Sequence, residues 1–566
     1  MKHFPLLLLC CLFCAQVHAL YASRRVPEPH KKIIHFGFVS PSAPELFTGE
    51  ALKKLNGNCP FDGIGINPVI RLQRDGKTIV YHPLHHVGSP YLLTKEDFRD
   101  LIPAYRRLQE TRLKHNFFII NSSPFNEDWF DDEGWKRTLN NFSLLAWAAK
   151  ESGFEGLCLD LEPYVLTKLP FMFRPHLGHS FQETAAQVRL RAKEWIEELN
   201  RQFPNLTLFT FYWASQCRSS FLAQHPETLE NSKDGLTLAF YNGVYDGAPD
   251  TMTIVDGNES PGYYAATEED YAKIVGRYHR FAHSWIDAGN LEKYLRTTSM
   301  GISFFLDSYV KRANPGKYNL FTKSDNPTQL LATNVSHAMD YTDEYVWFWC
   351  EKGNFWPGIF PSKYPSWEKQ LPHCAEAIET GRNLRASIEK YASPQNLLNN
   401  GSLESGDAGK PNYPDLYSSG IKSWPAWQGI DTPQGTIASE NGMVRFLNVT
   451  NGGISQAYCG VKAGQMFILR ARCKNESRFL SPVLQYFYRD TPDNGPWGHA
   501  STTFTEEEAD GWNRATLYVT VPNGHNIASL HVYVGTLGFQ DASEKDKGCL
   551  FDDIQLHKVV FPWNKK

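Results

Sequence analysis

The sequence of 566 residues lacks the short patterns that mark several common classes of enzyme. No Gly-x-Gly-x-x-Gly follows the first apolar run, so a dinucleotide-binding sheet is not indicated. Neither Gly-x-Ser-x-Gly nor a P-loop occurs, which leaves a serine hydrolase and a nucleotide-binding enzyme without support. None of the eight cysteines after residue 19 belongs to a Cys-x-x-Cys pair, so a zinc site built on cysteines is not expected.

The sequence also has little excess charge of either sign. Its formal net charge is −4, so no overall positive field would attract nucleic acid. Beyond the N-terminus, no apolar run is long enough to span a membrane. Residues 1–19 are typical of a signal peptide, because Lys2 and His3 precede an apolar run and Ala19 offers a small residue for cleavage. We therefore expect an exported, soluble protein, secreted or periplasmic, that matures near Leu20.

Short apolar runs alternate with segments of helical periodicity over most of the chain. The eight runs are residues 33–39, 63–70, 116–121, 156–161, 207–213, 236–241, 299–306 and 344–350. They are nearly continuously apolar, as strands buried on both faces are. The clearest helical segments are residues 94–111, 134–152, 181–203, 268–287, 327–341 and 374–391. This alternation predicts an α/β fold, a (β/α)8 TIM barrel, in a domain of residues 20–392.

The pattern changes at residue 393, where helical periodicity stops. Short alternating strands separated by Gly, Asn and Pro follow, which predicts an all-β sandwich over residues 393–566. The segments NLLNNGSLE, from Asn396, and FDDIQL, from Phe551, resemble the jelly-roll carbohydrate-binding modules of bacterial polysaccharide hydrolases. The resemblance implies a structural calcium ion near Asp552 or Asp553, and a face or edge with exposed aromatic rings. The candidates for these rings are Trp424, Trp427, Tyr486, Tyr488 and Trp497. A sandwich that only stabilises the protein is the alternative.

The strongest chemical motif is the pair Asp160 and Glu162 at the end of the predicted fourth strand. Residues two apart on a strand share a side, so both carboxylates point toward the mouth of the barrel. Active sites of this fold lie at that end of the strands. Two carboxylates so close repel each other as anions, and one of them keeps its proton near neutral pH. That property suits a general acid for glycosidic cleavage. A structural pair held by salt bridges is the alternative.

The fourth-strand segment resembles the D-G-x-D-x-D-x-E signature of the chitinase-like hydrolases of glycoside hydrolase family 18, with Cys158 in place of one Asp. The resemblance implies that Glu162 protonates the leaving oxygen, while the substrate's own 2-acetamido group attacks and Asp160 orients that group. Tyr241 and Asn242 resemble the family's M-x-Y-D/N at strand six, which implies a tyrosine hydroxyl on the acetamido group. Trp347 and Trp349 on strand eight would form the floor of the sugar subsite.

A two-carboxylate mechanism is the main alternative. Glu162 and the proline after it also resemble the N-E-P of the large clan of retaining hydrolases, which carry their acid on strand four. The nucleophile of that clan follows strand seven, where this chain has Asp307, and strand eight offers Glu351. Tyr212 and Tyr245 are further candidates to bind sugar.

Other interpretations stay open. A sialidase belongs with the two-carboxylate alternative, and a barrel that only binds glycan is a non-enzymatic one. A metal-dependent deacetylase would need His82, His85 and His86 to bind zinc, but no matching carboxylate accompanies them and a loop lining the cleft is favoured. No cofactor and no catalytic metal are expected. The partner is an oligosaccharide or polysaccharide, and the sequence indicates no oligomeric state.

Overall fold

The computed structural model describes residues 25–38, 43–57, 59–83, 91–121, 128–162, 169–216, 226–313, 316–359, 362–404, 419–429, 435–490, 496–522 and 525–564. The predicted signal peptide at 1–19 lies outside these residues. The chain forms two compact units. Unit 1 is Met1–Phe321 with Leu331–Arg382, and unit 2 is Thr322–Leu330 with Asn383–Lys566. Among the described residues, no helix has the length and apolar character needed to cross a membrane.

Unit 1 contains a parallel sheet of nine strands that nearly closes as a barrel. The strands are β1 Lys32–Gly37, β2 Gly63–Ile66, β5 Phe117–Asn121, β6 Gly156–Asp160, β7 Thr207–Thr210, β8 Thr253–Asp256, β9 Thr298–Met300, β10 Ile302–Phe305 and β11 Tyr345–Cys350. Their order is β10-β11-β1-β2-β5-β6-β7-β8-β9. Only Gly301 separates β9 from β10, so the two edges of the sheet are neighbouring segments of the chain. A small antiparallel hairpin, β3 Ile70–Arg74 and β4 Lys77–Tyr81, follows β2.

Helices connect most of these strands. They are α1 Gly49–Asn56, α2 Leu101–Arg106, α3 Asp132–Glu151, α4 Phe181–Gln202, α5 Thr237–Gly247, α6 Glu259–Tyr264, α7 Glu268–Phe281, α8 Leu291–Thr297, α9 Pro327–Tyr341, α10 Trp367–Gln370 and α11 Cys374–Arg382. Helix α4 begins at a capping box, in which Ser180 accepts from the Glu183 backbone at 3.2 Å and Glu183 reaches back to Ser180.

The prediction of a sixth strand at 236–241 is wrong. That run lies in α5, and the sixth strand of the alternation is β8. The run is apolar because α5 is deeply buried against α4. A Cβ on Gly243 would lie 2.2 Å from the carbonyl oxygen of Arg189. Buried helices and buried strands give the same short apolar run, so periodicity alone does not separate them.

The interior of the parallel sheet is a packed aromatic core. Alternate residues of the strands, such as Phe36, Phe117, Phe209 and Trp347, point inward and pack against one another. Trp347 is fully buried, and its indole Nε1–H donates to the carbonyl of Gly257 at 2.7 Å. Any ligand site must therefore lie above this core, at an end of the strands.

Unit 2 consists of antiparallel β-sheets, as the sequence predicts for this region. The strands are β12 Ala392–Asn396, β13 Ala426–Gln428, β14 Thr436–Glu440, β15 Met443–Leu447, β16 Asn451–Tyr458, β17 Met466–Asn475, β18 Leu480–Asp490, β19 Pro496–Thr503, β20 Glu506–Glu507, β21 Asn513–Thr520, β22 Ile527–Gly538 and β23 Gly548–Val559. One sheet has the order β14-β15-β23-β17-β21-β20, with β12 beside β23, and the other has the order β13-β16-β22-β18-β19. Helix α12, Leu384–Lys390, contributes Ile388 to an apolar cluster with Met466, Ile468, Val559 and Phe561.

The inward side chains of both sheets share one apolar core. Trp424 is fully buried in this core, and its indole donates to the carbonyl of Asn400 at 2.9 Å. Tyr488 is 2% exposed and donates to the carbonyl of Thr520. The prediction that Trp424 and Tyr488 are exposed aromatic rings is therefore wrong. Tyr486 is half-buried and packs against the same core.

Candidate active site

Asp160 and Glu162 lie at the carboxyl end of β6. Asp160 is the last residue of the strand and only 2% exposed, and its Oδ1 accepts the backbone N–H of Glu162 at 2.9 Å. Asn121, at the end of β5, donates its side-chain amide to the carbonyls of Asp160 at 3.1 Å and Glu162 at 2.8 Å. The backbone between the two carboxylates is thus held from both sides, while the Glu162 side chain is exposed to solvent.

Glu259 is a third carboxylate at the same edge, and the sequence analysis missed it. It opens α6, three residues after the end of β8. Parallel pairing of β6 with β7 and of β7 with β8 brings the ends of these strands side by side. Burial, together with the negative charges of Asp160 and Glu162, raises the pKa of the Glu259 carboxyl to about 8. A correct placement of the sixth strand would have revealed this residue.

A cavity of about 190 Å³ joins these groups. Its lining includes Glu162, Glu259, Tyr212, Tyr241, Lys317 and Tyr318. Burial raises the pKa of the Tyr212 hydroxyl, and the charges of Asp160 and Glu259 add to this effect. Tyr241 lines the cavity from helix α5 and not from the end of a strand. The match to the M-x-Y-D/N segment of strand six is therefore wrong.

Aromatic rings stand beside the cavity. The ring of Tyr318 lies 5.2 Å from Tyr263, 5.7 Å from Phe305 and 4.7 Å from Tyr264, measured between ring centroids. Tyr264 is 49% exposed. Amphipathic rings of this kind offer an apolar face to the C–H face of a sugar ring and a hydroxyl to its polar groups.

Asn242 and Tyr245 do not accompany Tyr241 to the cavity. The Asn242 carboxamide donates to the carbonyl of Trp285 and accepts the backbone N–H of Asp287 at 2.8 Å. The Tyr245 hydroxyl lies between Trp213 Nε1 at 3.0 Å and Thr298 Oγ1 at 2.8 Å. Both side chains are buried and fasten α5 to its neighbours.

Asp307 and Glu351 form a separate pair at the ends of β10 and β11. Asp307 is 5% exposed; its Oδ1 contacts Arg312 at 2.8 Å and its Oδ2 accepts the Glu351 backbone N–H at 2.9 Å. The Glu351 carboxylate accepts the indole N–H of Trp349 at 3.1 Å. Both carboxylate oxygens of Asp307 and one of Glu351 therefore have partners within the protein. Trp349 is half-buried, and its ring lies 5.4 Å from Phe38, which is 66% exposed.

Two metal sites are possible from the sequence: zinc at the histidines 82, 85 and 86, and calcium near Asp552 or Asp553. His85 and His86 lie outside them, and within them no group of three His, Cys, Asp or Glu side chains is placed to hold a metal ion. Asp552 Oδ1 accepts the backbone N–H of Asp553 at 2.7 Å, and the Asp553 carboxylate accepts from Gln555. These two carboxylates alone do not make a calcium site of six to eight oxygens. The structural calcium stays a prediction.

Unit 2 carries a flat aromatic surface on the outer side of its five-stranded sheet. Tyr533 points outward between the buried residues Val532 and Val534. Its ring lies directly over Gly453 and Gly535, since a Cβ on either glycine would come within 2.6 Å of the ring atom Cζ. Half-buried Trp427 pairs with Gly453 on the next strand. We call Trp427, Tyr533, Gly453 and Gly535 the outer platform.

A second ring pair extends the same face. Phe487 and His531 are opposite each other on β18 and β22, and their rings stack at 4.8 Å with an angle of 12°. Of the five aromatic residues predicted to be exposed, Trp427 belongs to this face. The side chain of Trp497 lies outside the described residues.

Comparison with known proteins gives no family for this chain. No family model matches it, and no curated protein is significantly similar to it. Its structural neighbours are mainly carbohydrate-binding modules. The module CBM4 is 15% identical, with 28% of this chain and 98% of that chain covered, at a TM-score of 0.20. The CBM22-1 xylan-binding domain of Xyn10C from Paenibacillus barcinonensis is 14% identical, with 30% and 96% covered, at 0.19. TM-scores this low carry no conclusion about the ligand of this chain.

Proposed function

We propose that unit 1 is a glycoside hydrolase on a (β/α)8 barrel, with its catalytic centre at Asp160, Glu162 and the cavity beside them. One observation carries the proposal. Glu162 and Glu259, which follow the strands β6 and β8 of one parallel sheet, border the same cavity with aromatic walls, at the end of the strands where such barrels hold their active sites. The substrate is an O-linked polysaccharide or oligosaccharide, and the predicted signal peptide supports export of the enzyme.

The geometry favours two carboxylates over assistance by a substrate acetamido group. The expected tyrosine at the end of strand six is on a helix instead, while a third carboxylate, Glu259, borders the cavity. In hydrolysis by two carboxylates, a carboxylic acid gives its proton to the glycosidic oxygen and the bond from that oxygen to the anomeric carbon breaks. An ionised carboxylate assists the attack of water on the same carbon.

Activity on a panel of glycosides tests this proposal. The protein from residue 20 onward is assayed on chromogenic glycosides of neutral, N-acetylated and acidic sugars and on matching oligosaccharides. Glu162→Gln should lose turnover while keeping its melting temperature. Glu197→Gln, on the exposed face of α4, is the matched control and should behave as wild type. A wild-type protein that releases no sugar from any substrate would contradict the hydrolase and leave a glycan-binding protein.

We propose also that unit 2 binds glycan on the outer platform. The flat ring of Tyr533, made possible by two glycines beneath it, is the observation that favours this role. A sugar stacked on such a ring gains roughly 1 kcal/mol beyond its buried area if it behaves like an aromatic pair. Trp427 and the stacked pair of Phe487 and His531 extend the surface along the sheet.

Binding to polysaccharide tests the platform in the full chain. Tyr533→Ala is compared with Trp512→Ala, which removes a half-buried ring from the connection between β20 and β21, at the edge of the other sheet. Both carry Glu162→Gln so that the polymer is not degraded. Affinity electrophoresis in gels with xylan, mannan, chitosan or mucin should show a loss of retardation for Tyr533→Ala alone. Equal retardation of the two variants would remove the role of the platform.

A further inference from the structure

Three carboxylates share one small region at the ends of β6 and β8, and they differ in their access to water. Glu162 is exposed, Asp160 is 2% exposed and Glu259 is half-buried at the cavity wall. Lys317 is a cation that lines the same cavity and acts on Glu259. Three negative charges that act on one another, two of them on partly or fully buried groups, repel one another, so one group keeps a proton.

The surroundings of each carboxylate decide where this proton stays. Asp160 accepts a backbone N–H from Glu162, which favours its ionised form. Glu162 reaches solvent, which hydrates its charge. Glu259 is half-buried, and burial together with both neighbouring carboxylates raises its pKa, while Tyr263 and Lys317 oppose this rise only in part. Burial raises the pKa values of Cys158 and Tyr212, and the charges of Asp160 and Glu259 add to this effect; Lys233 and Asp234 also line the cavity.

We infer that Glu259 is the general acid of the proposed reaction and that Glu162, which is exposed to solvent, is the carboxylate that assists water. This inference rests on the proposed hydrolase. It assigns the acid role to a residue that follows the sixth strand, whereas the sequence motif gives that role to Glu162. The geometry behind it is the cavity that both carboxylates border, with the enclosed one on α6 and the solvated one at the end of β6.

The step balances without any further reactant. The Glu259 carboxyl transfers its proton to the glycosidic oxygen, and the bond between this oxygen and the anomeric carbon breaks with its electron pair on the leaving sugar. Water adds to the anomeric carbon and gives a proton to Glu162. Exchange with solvent then returns the proton to Glu259. Asp160 is a positioning residue, because it holds the Glu162 backbone and keeps a negative charge beside Glu259.

Leaving groups of different acidity separate the two roles. A dinitrophenolate leaves without protonation, whereas an alkoxide needs the general acid. Glu259→Gln should keep turnover of the 2,4-dinitrophenyl glycoside within tenfold of wild type and lose about 10²–10⁴-fold on the methyl glycoside of the same sugar. Glu162→Gln should lose a comparable factor on both substrates. The opposite pattern, with dinitrophenyl turnover kept by Glu162→Gln, would overturn the assignment.

A spectroscopic test needs no substrate. Difference infrared spectra of wild type against Glu259→Gln at pH 7 should contain the C=O stretch of a protonated carboxyl that the variant lacks. Its absence at pH 7 overturns the acid role even when the enzyme hydrolyses glycosides. If the band is present and no glycoside is hydrolysed, the proposed hydrolase fails and takes the acid role with it. The two failures are thus distinguishable.

Discussion

Two pairs of acidic residues lie at the ends of the barrel strands, and their surroundings differ. Asp307 is nearly as buried as Asp160, yet it contacts the guanidinium of Arg312 and two backbone N–H groups around Glu351. Glu259 has two carboxylates as neighbours, and Tyr263 and Lys317 only partly offset the rise of its pKa. The buried carboxylate that contacts a guanidinium holds a loop in place, whereas the one among other carboxylates is placed to exchange a proton.

The largest expected effect is a loss of catalysis when the carboxylate that assists water is removed. Glu162→Gln should lower kcat by about 10²–10⁴-fold, because no ionised carboxylate then assists the attack on the anomeric carbon. The measurement is turnover of the best glycoside of the panel, with circular dichroism to confirm the fold. Glu351→Gln is the matched change in the other pair and should cost less than tenfold. A larger loss for Glu351→Gln would exchange the roles of the two pairs.

A loss of stability is expected from the loop-fastening pair. Asp307→Asn should lower the free energy of unfolding by about 2–3 kcal/mol, because it removes the ion pair with Arg312 and leaves a partly buried cation. Denaturant titration of both proteins measures the difference. Stability equal to wild type, together with lost turnover, would make Asp307 a catalytic group instead.

Removing the Glu259 carboxyl from the carboxylate cluster is expected to increase stability. An unfolded chain loses the proton of Glu259 near pH 4.3, whereas the folded protein keeps it to about pH 8. Between these values the folded state holds more protons, so its stability falls as pH rises. Glu259→Gln removes this penalty and should be more stable than wild type by about 1–3 kcal/mol at pH 8, with a smaller gap at pH 5. Melting curves at both pH values test this, and a gap that does not grow with pH counts against it.

The smallest expected effect is a shift of the pH profile. Asp160→Asn removes one of the negative charges that raise the pKa of Glu259. The acid therefore loses its proton at lower pH, and the alkaline limb of kcat should move down by about one pH unit. Glu155→Gln, at the other end of the same strand segment, is the control. An alkaline limb that stays in place would show that Asp160 does not act on the acid.

The sequence predicts the β-rich character of both units well, and periodicity explains why. Runs such as Phe117–Asn121 are buried on both faces and stand out as continuous apolar segments. The sequence also predicts that Asp160 and Glu162 lie together at a strand end, because residues two apart on a strand share a side.

What the sequence does not predict depends on contacts between distant segments. The run at 236–241 is apolar because a neighbouring helix covers it, and its short apolar pattern does not distinguish a buried helix from a strand. The sequence therefore does not predict Glu259 in the site, because its place there depends on the position of β8. The sequence around Trp424 does not show whether its ring is exposed or buried. In the structure, its indole N–H donates to the carbonyl of Asn400 inside the sandwich.

Gly301, which separates the edge strands β9 and β10 at the seam of the parallel sheet, also contacts the segment that precedes Glu259. Its N–H donates to Asp256 at 2.8 Å, its carbonyl accepts from Asn258 at 3.1 Å, and a Cβ there would lie 3.3 Å from Gly257. These three neighbours are the corner of the chain that leads into Glu259. Substitutions at this seam should therefore move the pKa of Glu259, and with it the pH profile of the proposed enzyme, without altering any residue that lines the cavity.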